Sequence, residues 1–281
     1  LAIIYGLAGV INMAHGEFLM IGAYTTFCMQ QLFSSVEFGQ QMGDVFFWIS
    51  LPLSFVVAGL FGLLIERFII RKLYGKPLQG LLATWGVSLV LIQLARTVFG
   101  DLTSVTSPKL LSGGWQVIPQ LVLPYNRLFV IGVTLIMILL VVFFLNRTRY
   151  GLRIRSVTQN RSMSACLGIS TKKIDALTFF VGSGIAGVAG CCMTLIGNIV
   201  PDMGQTYIVD SFLVVVTGGV GNLAGTIVSG LGIGFLTKIL EPTFQTVFVK
   251  VIILALIIFF IQFKPQGIFP AKGRIAQDTD L

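Results

Sequence analysis

Asn12, His15 and Glu17 are the residues of this chain best placed to do chemistry, set in Asn12-Met13-Ala14-His15-Gly16-Glu17 between two apolar runs. A lone imidazole beside a carboxylate is the only basis the sequence offers for acid–base catalysis. No serine, cysteine or carboxylate pair stands with a base at a recognisable spacing, so the chain is expected to be no enzyme. The alternative chemistry is polar contact with a solute. Polar groups and unpaired backbone lack water to bond near hydrocarbon, so such a break is tolerated where it is buried in protein or lines a path. His15 and Glu17 therefore read either as path residues or as helix-end groups bonding each other's backbone at an interface. A second break, Gly218-Gly219-Val220-Gly221-Asn222, brings Thr217 and Asn222 onto the same list of path candidates. The single His has no Cys partner nearby, and no metal-ligand spacing exists.

Two motif matches fail on context. Leu111-Ser112-Gly113-Gly114-Trp115-Gln116 looks like the signature peptide of an ABC ATPase, but no Walker A stretch accompanies it. Gly182-Ser183-Gly184-Ile185-Ala186-Gly187 has the spacing of a dinucleotide fingerprint, yet it sits inside an apolar run with no preceding strand.

The elements that must position these residues are membrane spans. The chain has 281 residues, 55% hydrophobic and 11% charged, against about 25% charged in soluble domains. Spans are predicted at 45–65, 81–99, 128–145, 176–197 and 247–263, each about the 20 residues a helix needs to cross. Regions 1–33 and 211–240 are apolar but interrupted. The fold expected is an all-α polytopic membrane protein of about eight transmembrane or interrupted helices, with two broken or re-entrant regions. Leu1 to Ile11 covers only about 16 Å, and the first residue is Leu, so further N-terminal sequence is expected to precede it.

Fourteen of the 19 Lys and Arg fall in three segments: Arg67, Arg71, Lys72 and Lys76; Arg147, Arg149, Arg153, Arg155, Arg161, Lys172 and Lys173; and Lys264, Lys272 and Arg274. The positive-inside rule makes these cytoplasmic, with the C-terminus inside and 34–44, 100–127 and 198–210 outside. The net charge of +8 then reads as topology and contact with anionic lipid, not as a nucleic-acid footprint. Parity requires 211–240 to leave and return to one side, as two short helices or a re-entrant hairpin turning at the glycine cluster. Gly182, Ala186 and Gly190, Gly221 with Gly225, and Gly230 with Gly234 recur every four residues, the spacing that lets membrane helices approach closely. Cys28, Cys166, Cys191 and Cys192 read as reduced packing residues. In the basic loop 146–175, Val157, Met163, Ala165, Cys166, Leu167 and Ile169 mark a face that either docks on another protein or hugs lipid.

Three motifs then point to a family. Asn12 to Glu17 followed by Phe18-Leu19-Met20-Ile21-Gly22-Ala23-Tyr24, the stretch Val214 to Gly225, and Lys264-Pro265-Gln266-Gly267-Ile268-Phe269 together resemble the permease subunits of ABC importers for branched-chain amino acids and amides. Tyr207-Ile208-Val209-Asp210-Ser211-Phe212 and Ala271-Lys272-Gly273-Arg274 are most similar to the permeases of urea importers. The resemblance implies one permease domain over 1–274 with a tail at 275–281, in the inner membrane. It implies a second related permease, two cytoplasmic ATPases that bind the ATP, and an extracytoplasmic solute-binding protein, with no cofactor in this chain. Asn160, Arg161, Ala165, Gly168 and Ile169 match the family's ATPase-coupling loop, without its usual Glu-Ala-Ala start. Urea needs donors and acceptors but no counter-charge. A branched-chain amino acid needs charged partners for its termini and an apolar pocket. A gradient-driven transporter or channel, the competing class, would not need a broad docking loop.

Overall fold

A computed structural model describes residues 1–8, 12–35, 44–118 and 121–269. Helix α1 is Ala2–Ala8 and α2 is His15–Ser35. Helix α3 spans Val45–Leu73, passing through a π-helical turn at Glu66–Ile70, and α4 is Pro77–Phe99. The next connection carries a 3-10 turn at Lys109–Leu111 and an antiparallel hairpin of β1 (Gly114–Ile118) and β2 (Leu121–Pro124). Then come α5 (Tyr125–Arg147), α6 (Arg149–Gln159), α7 (Arg161–Cys166), α8 (Thr171–Met193), α9 (Met203–Gly218), α10 (Leu223–Leu240) and α11 (Thr246–Phe263). Among the described residues five helices are long and apolar enough to cross a membrane, α3, α4, α5, α8 and α10, and Val247–Phe263 is a shorter apolar helix. The chain is an all-α polytopic membrane protein.

Four of the predicted spans correspond to α3, α4, α5 and α8; the fifth, 247–263, is the shorter apolar α11, while α10, inside the region read as interrupted, is long and apolar enough to cross. Helix α8 begins at Thr171 and stops at Met193, because the polar run Thr171-Lys172-Lys173 is helical and the Thr194 hydroxyl turns back to the Cys191 carbonyl. The region 211–240 is part of a helical hairpin whose first arm starts at Met203, earlier than the apolar run. Its turn lies at the glycine cluster, where Gly219 and Gly221 have φ of 102° and 80°. The lookalike Leu111 to Gln116 runs from the 3-10 turn into β1, Gly114 pairing with Pro124 and Trp115 with Leu123.

Helices α2, α3 and α8 form the tightest packing, and glycine is the reason. Gly22 on α2 and Gly187 on α8 stand backbone to backbone, with a Cβ on Gly22 falling 2.6 Å from the Gly187 Cα. The Ser54 hydroxyl of α3 donates to the Gly22 carbonyl at 3.1 Å. A Cβ on Gly184 would fall 2.8 Å from the Phe55 ring, and Gly59 faces Phe180 in the same way. Lipid offers no hydrophobic incentive for helices to associate, so close backbone approach and such side-chain bonds hold them together. Apolar clusters flank this seam. One joins Met20, Tyr24, Phe47, Cys191 and Met203, and another Ile4, Phe18, Ala58, Ile70 and Phe179. Helix α5 contributes no fully buried residue; Phe129 and Val130 pack against the first cluster, and much of its remaining apolar surface is exposed.

Candidate functional site

The break before α2 is shorter than its motif. Asn12 opens it, its side-chain oxygen accepting from the Ala14 amide at 3.1 Å, and the helix begins at His15. This is an Asx-type turn that starts a helix. Gly16 and Glu17 therefore lie in the first helical turn. The Met13 amide donates to the Thr84 hydroxyl at 3.2 Å, and one turn further along α4 the Ser88 hydroxyl donates to Glu17 Oε1 at 2.8 Å. Glu17 is fully buried. Its carboxylate packs on the first turn of α9, where a Cβ on Gly204 would fall 2.7 Å from Glu17 Cδ. Only glycine leaves room there, and the positive end of the α9 dipole faces the carboxylate. Asn12 Nδ2, His15 Nδ1 and Glu17 Oε2 are buried without a hydrogen-bond partner.

The second break is tied to the chain's other end. The Thr217 carbonyl accepts from the Ile268 amide at 2.9 Å, and the Gly218 carbonyl from the Phe269 amide at 3.3 Å. Asn222 caps α10, its side-chain oxygen accepting from the Gly225 amide at 3.2 Å, while its Nδ2 donates to the Phe269 carbonyl. Gly6 of α1 meets this turn at Gly221. The structure thus sets Thr217 and Asn222 against 266–269, and Asn12 and Glu17 against α4 and α9. Replacing Asn222 with leucine removes the cap, and about 1 kcal/mol of helix stability is expected to go with it. Thermal unfolding of the purified protein checks this: Asn222→Asp should melt with the wild type and Asn222→Leu below it.

His15 turns elsewhere. It lines a cavity of about 780 Å³ between α5 on one side and α9 and α10 on the other, floored by α2 and α8. Tyr207, Asp210, Ser211 and Val214 of α9 face it at helical spacing, joined by Lys238 of α10 and Lys250 of α11. The walls are otherwise mainly aliphatic. Lys250 Nζ and Asp210 Oδ2 stand 3.8 Å apart across two helices. Sequence reasoning placed Asp210 only in the motif Tyr207 to Phe212 and in an outward segment, and did not pair it with Lys250. The signal it passed over was an acid in α9 and a base one turn into the apolar α11.

At the end of the bundle where α3 finishes and α8 begins, α6 and α7 form a projecting arm. Ile154 and Val157 bury against Ile174 with Phe144, Leu145 and Ile169 around them. Val157 and Ile169, placed by sequence on the docking face, therefore pack inward because the amphipathic α6 needs an apolar floor. Met163, Ala165, Cys166 and Leu167 remain exposed. Asn160 caps α7 through the Met163 amide at 2.9 Å. Gly168 closes it with φ of 81°, the Ile169 amide reaching the Ser164 carbonyl at 3.0 Å. Arg161 does not project outward. Its guanidinium is forked on the buried Asp175 of α8 and lies 4.5 Å above the Tyr74 ring. Burial first, then Asp175 and Glu66, push the Tyr74 phenol above its usual range, so it offers Arg161 a neutral face. Next to it Arg71 is bidentate to the buried Glu66 at 3.1 and 2.8 Å and reaches the Lys172 carbonyl at 3.4 Å.

Of the glycines marked for packing, Gly190 faces the Leu19 carbonyl, Gly225 the Gly218 carbonyl, and Gly182 the flexible end of Ile4. Gly221 differs, because a Cβ there meets only Gly6 Cα at 3.8 Å. Its requirement is the positive φ of the turn, not helix approach. Cys191 and Cys192 are buried and Cys28 and Cys166 exposed, all four free. Among the described residues no group of three or more His, Cys, Asp or Glu is placed to hold a metal.

Comparison with known proteins places this geometry. The chain is 30% identical to the high-affinity branched-chain amino acid transport system permease protein BraD of Pseudomonas aeruginosa, over 94% of this chain and 87% of that protein. It is 29% identical to LivH of Escherichia coli K12 over the same shares, and 22% identical to LivM of that organism over 96% of this chain and 66% of LivM. No solved structure matches it. Residues 1–261 match the family described as branched-chain amino acid transport system / permease component, and the chain belongs to that family.

Proposed function

We propose that this chain is a permease subunit of an ATP-driven importer and that its solute is a branched-chain amino acid. The observation that carries the substrate reading is the cavity. Its aliphatic walls, with Asp210 and Lys250 exposed to it, offer the two things an aliphatic zwitterion needs, an apolar pocket and opposite charges for its termini. The relatives named for branched-chain amino acid transport support the same solute. The second reading, urea, is favoured by the residues Tyr207 to Phe212, and it has no use for an ion pair in the path. The chain works with a second homologous permease, two ATPase subunits that bind the ATP, and a solute-binding protein. The exposed Met163, Ala165, Cys166 and Leu167 of the arm meet an ATPase, and Asn12, His15, Glu17, Thr217 and Asn222 serve the path or its frame.

Uptake of labelled leucine and labelled urea by cells with and without this chain tests the solute. Leucine uptake should depend on the chain, and chain-dependent uptake of urea alone would reverse the order of the two readings. Orientation has its own test. With the arm and the C-terminus in the cytoplasm, an impermeant thiol reagent applied outside should label a cysteine at Ser112 and spare one at Met163. Labelling at Met163 and not at Ser112 would invert the topology.

A further inference from the structure

We propose that Asp210 and Lys250 are the residues that hold the two charged ends of the solute inside the cavity, Lys250 taking a carboxylate and Asp210 an ammonium. The inference rests on the reading of the solute as an aliphatic amino acid. Asp210 lies in the middle of α9, next to its apolar second half, and Lys250 one turn into the apolar helix α11. Ionisable groups within membrane helices face protein or a water-filled space and mark solute pathways. Both are half exposed, 49% and 51%, and both line the cavity.

Their separation is informative. The other ion pairs among the described residues are closed to hydrogen-bond distance, at 2.9 Å or less. This pair stands at 3.8 Å, too long for a charge-assisted hydrogen bond. Each partner therefore retains unspent bonding capacity. Lysine is the member that can move, a point charge on a flexible stem with three donors, so a ligand bearing both charges can enter between them without leaving either bare. The remaining nearby charges, Lys238 and Glu241, pair with each other at 2.6 Å, which leaves this end of the cavity balanced and suited to a zwitterion in preference to an ion. Met137, Val214 and Ile227 supply aliphatic wall for the side chain. His15, only 6% exposed and with Nδ1 unpartnered, faces the same space from α2 as an additional polar contact.

The test uses the complex assembled with its partner subunits in lipid nanodiscs, with Cys28 and Cys166 changed to serine and Ser211→Cys as reporter. Leucine should slow thiol labelling of the reporter, whereas 4-methylpentanoate, which lacks the ammonium, and urea should not. Asp210→Asn and Lys250→Gln should each raise the leucine concentration for half-protection about tenfold, the size of one partly solvated charge-assisted bond. The double variant Asp210→Lys with Lys250→Asp restores the pair but reverses its polarity against the aliphatic wall, so assembly should recover and protection should stay weak. Full protection in the swapped variant, or unchanged protection in both single variants, overturns the assignment and leaves a structural ion pair. A complex that takes up leucine with no protection at Ser211→Cys overturns the assignment while sparing the solute reading. A complex that takes up urea and not leucine removes both.

Discussion

Reversing Arg161 to glutamate is expected to cut ATP-driven uptake at least about tenfold, and to do so from within this chain. Asp175 is almost completely buried in α8, and Arg161 is its fork-shaped partner at the first residue of α7. Arg161 is itself partly exposed, so removing it costs about 1–3 kcal/mol, the desolvation penalty of leaving the buried Asp175 without its partner. A glutamate at 161 adds repulsion to that loss. The arm would then be held by the apolar cluster of Ile154, Val157 and Ile174 with Phe144, Leu145 and Ile169 but no longer by an ion pair, and its exposed face would lose its fixed position relative to α3 and α8. Transport and stimulated ATP hydrolysis should both fall at least about tenfold, a change of about 1.4 kcal/mol or more. The second-site change Asp175→Arg should restore a large part of both. A residue that acted only by touching a partner ATPase would not be rescued by a change inside α8. Failure of the swap, together with normal stimulation in Asp175→Asn, would remove the clamp from the coupling route. The amount of ATPase that co-purifies with each variant separates a detached arm from a lost docking face.

The spans were legible because length and apolarity alone define them. Four predicted runs correspond to the long apolar helices α3, α4, α5 and α8 and the fifth to the shorter α11, α10 was read only as part of an interrupted region, and the turn of the α9–α10 hairpin was marked by glycines that must take positive φ. The boundaries that shifted lie where polar residues remain helical, as at Thr171 to Lys173 and Met203 to Asp210. Hydropathy cannot see a helix that continues past its apolar part. The candidate site was half legible. Asn12, His15 and Glu17 stand out as polar letters in an apolar text, but periodicity could not say that His15 faces one space and Glu17 another, because the direction of each is set by the neighbour it meets. Glu17 is where it is because Ser88 and Gly204 are on α4 and α9. The Asp210–Lys250 pair was invisible for the same reason: the two are 40 positions apart in the chain, and only the packing of α9 on α11 brings them together. Arg161 is the opposite case. Its position in the arm was plain, and its direction was the reverse of the one a docking surface suggests.

Gly190 and Gly168 should separate the two uses of glycine in this fold, and the contrast is large. A Cβ on Gly190 would lie within contact of the Leu19 carbonyl and 3.0 Å from the Ala23 amide nitrogen, and neither backbone atom can move without parting α2 from α8. Overpacking a close core costs about 1–3 kcal/mol per inserted group, occasionally more, and Gly190→Leu inserts four carbons into a backbone contact. No folded protein should be recoverable from Gly190→Leu, and Gly190→Ala should lower the yield of monodisperse protein and its melting temperature. Gly168 has open space around it and a φ of 81°. Gly168→Ala is penalised by backbone conformation alone, about 1–2 kcal/mol, and the penalty falls on the end of α7, outside the seam between α2, α3 and α8. That variant should melt with the wild type in the bundle and lose stimulated ATP hydrolysis, because the end of the short helix that carries Met163 and Cys166 is no longer held by the turn. Equal loss of folded protein in Gly168→Ala would mean that the arm is part of the bundle's stability and cannot move as a separate lever.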